Sequence, residues 1–138
     1  VPLAVLPSGD IVATGFSDME RSDDAGNTVA IVLPAAGAPR SVLYDGANVP
    51  DHPARAAFAC GAAVCMQAMG SVLVLEPGSM TFSTPIAVGA LAGADDEAAS
   101  ESVLAPLGDG DALYAFRSWN EIAGTNEPRV VRLHGLPR

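Results

Sequence analysis

The chain has no lysine. Its seven basic residues are all arginine and face sixteen Asp and Glu, for a net charge of -9. A nucleic-acid binder needs a positive footprint, and none exists here. An anionic membrane surface would repel the chain for the same reason. No run of about 18 apolar residues occurs, so no segment reads as a membrane-spanning helix. Two histidines and two cysteines lie in no ligand spacing, which argues against zinc. No Gly-x-Ser-x-Gly elbow and no phosphate-cradling glycine loop occurs.

Apolar residues are present in quantity, at 49% of 138 residues, enough for the core of one domain or part of one. The chain opens at Val1 without a charged, apolar leader and stops at Arg138 after Leu136-Pro137. It reads equally as an excised segment or a mature protein.

Short apolar runs alternate with turn formers. Leu3–Leu6, Ile11–Thr14, Thr28–Leu33 and Ser41–Tyr44 form a first set. Ala56–Cys60, Val64–Ala68, Ser71–Leu75 and Thr81–Val88, broken by Pro85, form a second. Val103–Leu107, Ala112–Phe116 and Arg129–Leu133 form a third, one run short. Pro-Ser-Gly-Asp and Gly-Asp-Gly-Asp between them are strong turns. The runs predict eleven strands in three antiparallel sets, spanning 1–48, 49–93 and 100–138. Residues 3–13 lie over 104–114 without a gap, with identities at Leu3/Leu104, Ala4/Ala105, Leu6/Leu107, Gly9/Gly110 and Asp10/Asp111. A degenerate middle copy fits at 55–65, 52 residues after the first. Val29–Leu33 and Val72–Leu75 are apolar on both faces, as strands are when sheets stack over them. Ala54–Met69 also reads as helix from its alanines, but Gly61 and the repeat favour strands. Ala94–Ser102 reads as a solvated acidic linker or a short helical turn, with Asp95-Asp96-Glu97 in its first turn.

Sets of four strands at a period near 50 are the sign of a β-propeller. The stretch from Leu6-Pro7-Ser8-Gly9-Asp10 through Gly15, then Val29–Gly37, resembles a blade of secreted bacterial β-propellers. The Trp-Asp pair of one propeller class is missing, since Asn120 follows Trp119, and so is the Gly-Gly pair of kelch blades. The resemblance implies an all-β chain of about three four-stranded blades, the last incomplete, in an extracytoplasmic bacterial protein. It implies no catalytic residue.

The chemistry-bearing candidates are few. Asp18, Asp23 and Asp24, on the loop after the second strand, offer hard oxygens that suit Ca²⁺ or simply water. The equivalent loop of the third set, Ser118–Glu127, carries Trp119 and Asn120 next to Arg117. There Trp119 either stacks on a sugar or another flat ligand or packs on its own blade. His52, flanked by Pro50 and Pro53, and His134, at the end of the last strand, have no partner in sequence. Cys60 and Cys65 stand opposite one another if Gly61–Val64 is a hairpin loop, within reach of a disulfide; on a helix they diverge.

The reading that follows is a non-catalytic binding module of an extracytoplasmic protein. The alternative is a fragment of a propeller hydrolase or dehydrogenase, which requires Arg117, Glu121 or His134 to converge on one concavity. Three copies are too few to close a ring, so the expected partners are the remaining blades of a longer chain or a second copy. Val29, Ile31, Val130 and Leu133 are then expected to lie exposed on the end faces.

Overall fold

The computed structural model describes residues 2–17, 27–44 and 54–138. Its eleven strands fall into three antiparallel sheets of four, four and three. Sheet A holds β1 (Leu3–Val5), β2 (Ile11–Ser17), β3 (Asn27–Leu33) and β4 (Arg40–Leu43). Sheet B holds β5 (Ala56–Cys60), β6 (Ala63–Ala68), β7 (Ser71–Glu76) and β8 (Thr81–Phe82). Sheet C holds β9 (Val103–Gly108), β10 (Asp111–Asn120) and β11 (Thr125–Leu133). Within each sheet every strand pairs with its sequence neighbour.

The sheets stack in the order A, B, C. One core cluster joins Ala4, Val12, Ala30 and Val32 of sheet A to Val64, Met66, Leu73 and Leu75 of sheet B. A second joins Cys65, Val72 and Val74 of sheet B to Leu104, Ala112, Tyr114 and Phe116 of sheet C. Alternate residues of β6 and β7 thus point to opposite neighbours, as strand geometry requires. This is why all six residues of β6 are buried. The first strands of the three sheets also adjoin: β1 lies by β5 and β5 by β9.

The sheets face the same way round the stack. Ala4 and Val12 point forward, from A toward B. Ala105 and Leu113, 101 residues later, pair across β9 and β10 on the face turned away from B, which is also forward. Leu104 points backward into B, and Leu3 points backward and is exposed. The ungapped offset of 52 fails this test, because Val12 faces B whereas Val64 faces back to A. The turns explain the slip. β1 and β2 are joined through Leu6–Asp10, closed by Leu6 N–H on the Asp10 carbonyl (2.9 Å). β5 and β6 need only Gly61-Ala62, and shifting a strand by one residue flips every side chain.

Several expectations change. Thr81–Val88 is not one strand: β8 spans two residues, Ile86 bridges Val72, and helix α1 (Val88–Ala92) begins two residues on. Pro85 has no N–H for the ladder, and Gly89-Ala90-Leu91-Ala92 suits a helical turn. Gly93, at φ 77°, ends it. The acidic stretch does form a helix, α2 (Asp96–Ser100), with Asp95 as its cap accepting from Ala98 N–H at 2.7 Å. Ser118–Glu127 is not an open loop, because β10 and β11 stay paired to Asn120↔Thr125. Leu133 is buried, since it pairs with Ala112 and joins the B–C core with Leu136. Val29 is half-buried, while Ile31 and Val130 are exposed as expected.

Candidate functional site

Cys60 and Cys65 form a disulfide with Cα atoms 6.0 Å apart. They are diagonal rather than opposite: Cys60 pairs with Ala63 and Cys65 with Phe58. Both sulfurs sit on the face of sheet B that packs on sheet C. Next to this hairpin the chain's end folds back. Leu136 N–H donates to the Gly110 carbonyl (2.9 Å), and its side chain enters the core. Gly61, at φ 65°, lies so close that a Cβ there would run into the carbonyl of Arg138. Residues 135–138 thereby fasten the β5–β6 turn to the β9–β10 turn around a cavity of about 260 Å³.

Asp111 opens β10 and binds across the sheet. Its Oδ2 accepts from Arg132 Nη2 (2.6 Å) and Nε (3.1 Å), and its Oδ1 lies 2.7 Å from His134 Nδ1. The Arg132 and then the His134 hydrogen bonds hold its carboxyl below the usual value. Asp10, 101 residues earlier, does a similar task in sheet A by accepting from Ala35 N–H at 2.9 Å. His134 therefore has a partner, 23 residues away and found only through the β10–β11 register.

A larger cleft, of about 610 Å³, opens at the other end of β10. Six residues separate Asp111 from Arg117 along the strand, roughly 20 Å at about 3.3 Å per residue. Here β10 and β11 run on past the start of β9, and α2 lies against β10. Arg117 and Trp119 share one face of β10, with Asn126 paired directly across from Trp119. Asp95, Glu97 and Glu101 of the α2 segment line the opposite wall. Trp119 is 58% exposed although its backbone is fixed in a paired strand.

Asn120 is elsewhere. Its Nδ2 donates to Glu127 Oε1 (2.7 Å), and its Oδ1 accepts from Ile122 N–H (3.0 Å) and Ala123 N–H (3.1 Å). These bonds lock the Glu121–Gly124 turn and leave Asn120 off the cleft lining. Asn126 lines it instead. The cue was register, since a hairpin closing at 121–124 sets residue 126 opposite 119. Arg117, Glu121 and His134 do not converge, because Arg117 lines the cleft without Glu121 and His134 is bound to Asp111.

Asp18, Asp23 and Asp24, the Ca²⁺ candidates, lie outside the described residues, as does His52. Among the described residues no group of three or more His, Cys, Asp or Glu is placed to hold a metal ion, and no helix is long and apolar enough to cross a membrane.

A buried polar group ties the connector to the core. Gln67 Nε2 donates to Met69 O (3.0 Å) and Ser102 Oγ (2.9 Å), and its Oε1 accepts from Leu104 N–H (2.8 Å). Ser102 Oγ donates to Ala99 O at 2.7 Å. This fixes where α2 enters β9, and so the wall facing Trp119. The nearby Tyr114 hydroxyl is buried and has no hydrogen-bond partner among the described residues. Burial pushes its pKa up, partly opposed by Ser102 and by the Arg55 charge. No protein-family model, curated protein or solved structure matches this chain.

Proposed function

We propose that this chain is a non-catalytic binding module, three blades of a β-propeller in an extracytoplasmic protein, that takes its ligand in the cleft beside Trp119. One observation carries the reading. A large aromatic surface is held exposed on a rigid ribbon, with donors Arg117 and Asn126 on its own side and three carboxylates opposite. A flat ligand bearing hydroxyl groups fits that chemistry, because hydroxyls donate to carboxylates and accept from guanidinium and amide N–H. A sugar ring lying on the indole is the ligand class with both properties.

The propeller reading is supported by three meander sheets stacked in one sense with their first strands adjoining. The disulfide supports an oxidising compartment. Trp119 is the single tryptophan, so intrinsic fluorescence reports on the cleft alone. Titration with a panel of neutral mono- and oligosaccharides should quench or shift that emission saturably, and Trp119→Ala should lose binding measured by calorimetry. An unchanged emission maximum and no heat across the panel refute the sugar-binding reading.

A further inference from the structure

The charges that line the Trp119 cleft are unmet. Arg117 stands on the sheet C side, and Asp95, Glu97 and Glu101 stand on the α2 side of the same opening. Among the described residues the ion pairs are those of Asp111 with Arg132 and His134, so the Arg117 guanidinium reaches none of the three carboxylates. Asp95 is partly engaged, since its Oδ1 caps α2 by accepting from Ala98 N–H at 2.7 Å. The Glu97 and Glu101 carboxylates accept no hydrogen bond from any described residue. They are four residues apart, on one face of the helical turn, where like charges repel. The wall that carries them is pinned at both ends. Asp95 holds its start, and at its end Ser102 Oγ donates to Ala99 O at 2.7 Å and accepts from Gln67 Nε2 at 2.9 Å. Across from this wall the Trp119 side chain is 58% exposed, and an indole face attracts a cation as well as a sugar ring.

We infer that the ligand of this cleft is a short oligosaccharide with free amino groups, one ring lying on Trp119 and an ammonium between Glu97 and Glu101. The inference rests on the sugar-binding reading above and adds the charge of the sugar. Three observations select that sign. Three carboxylates face one guanidinium, so the lining carries an excess of negative charge. The chain as a whole, at -9, draws cations toward it and repels anions. The indole serves ring and ammonium alike, whereas a sugar acid finds Arg117 as its one charged partner and three carboxylates against it. Arg117 and Asn126 are then left to donate to hydroxyl and ring oxygens. A neutral sugar meets those donors but leaves Glu97 and Glu101 repelling each other. The volume, about 610 Å³, sits within the range of about 300–1,000 Å³ that holds ligands larger than a single ring.

The test is calorimetry together with Trp119 emission, using β-1,4-linked glucosamine di- and trisaccharides, the same oligomers N-acetylated, and galacturonic acid oligomers of equal length. Acetylation keeps the rings, linkage and ring hydroxyls and removes the charge. The amine form should bind about tenfold tighter than the acetylated form at low salt, and the gap should narrow as salt is added. In the double variant Glu97→Gln with Glu101→Gln that ratio should fall toward one. Both positions are exposed, so circular dichroism should match the parent. Glutamine keeps the shape and the hydrogen bonding, so a merely structural role for the two glutamates would leave the ratio intact. Arg117→Gln should widen it, because a repelling cation is removed. Equal affinity for the two forms overturns the inference and leaves the sugar-binding reading standing. So does a preference that survives the double variant, or tighter binding of the galacturonic acid oligomer. Heat from the amine form without a change in Trp119 emission places the charge attraction elsewhere and also overturns it. Absence of binding by every sugar overturns both readings together.

Discussion

β7 and β3 look alike in sequence and differ in fate. Val72–Leu75 and Val29–Leu33 are both unbroken apolar runs. In β7 both rows are buried: Leu73 and Leu75 face sheet A, and Val72 and Val74 face sheet C, all at 3% exposure or less. Within Val29–Leu33 only Ala30 and Val32 are buried, while Ile31 and Leu33 stay near 40% exposed. The run shows that a strand is built to be covered twice. Its place in the stack decides whether this chain alone supplies both covers.

The sharpest way to break that comparison is a pair of truncations. Leu73→Ala, between sheets A and B, should cost about 2–5 kcal/mol of stability. Ile31→Ala on the outward row should cost less than about 1 kcal/mol in a dilute, monomeric sample. Urea unfolding with secondary-structure detection measures both; equal losses would show that β3 is covered within the single chain.

The B–C interface should be sensitive to the loss of the buried Gln67 amide. Gln67→Leu leaves the Leu104 N–H and the Met69 carbonyl without their side-chain partner, at about 1–3 kcal/mol. The same assay reads it. Trp119 emission should also shift, because the Gln67–Ser102 contacts set the α2 wall of the cleft.

Reducing Cys60–Cys65 should cost about 2 kcal/mol, the modest value of a loop this short. Gly61→Ala should cost about 1–2 kcal/mol, because an L side chain at positive φ is strained and its Cβ displaces Arg138. Only the latter should expose residues 135–138 to carboxypeptidase.

The smallest effect is electrostatic. Asp111 is held below the ordinary carboxylate value by Arg132 and His134. Its contribution is complete above the unfolded value, near pH 4, and is lost as pH falls through the lower folded value. Asp111→Asn should flatten the acid-side slope of stability without changing it near pH 7 by more than exposed pairs allow. An unchanged slope below pH 4 would show that the pair is not populated.

The eleven strands were legible because turn formers bound each apolar run. Their lengths were less so. β10 and β11 outran expectation because Ser118–Asn120 and Thr125–Glu127 are polar, and a search for apolar runs stops where ladder hydrogen bonds continue. The helix at Val88–Ala92 was hidden by Ile86-Ala87-Val88, which reads as the end of a strand. Arg117 and Trp119 stood out by residue type. Asp95, Glu97 and Glu101 read as a solvated linker, because only the return of α2 onto β10 makes them a wall. Asn126 and the Asp111–His134 pair depend on register over long separations, which composition does not carry.

Because every strand pairs with the one before or after it, no sheet waits for a distant segment. Loop-closure entropy grows with the chain closed, so hairpins joined by two to about ten residues form early and cheaply. A β chain built this way should fold quickly for its class. It should also fold vectorially, with sheet A zipping while sheet C is still being synthesised. The contacts of Leu136 with the β9–β10 turn and of Arg138 with Gly61 form after the strands they fasten.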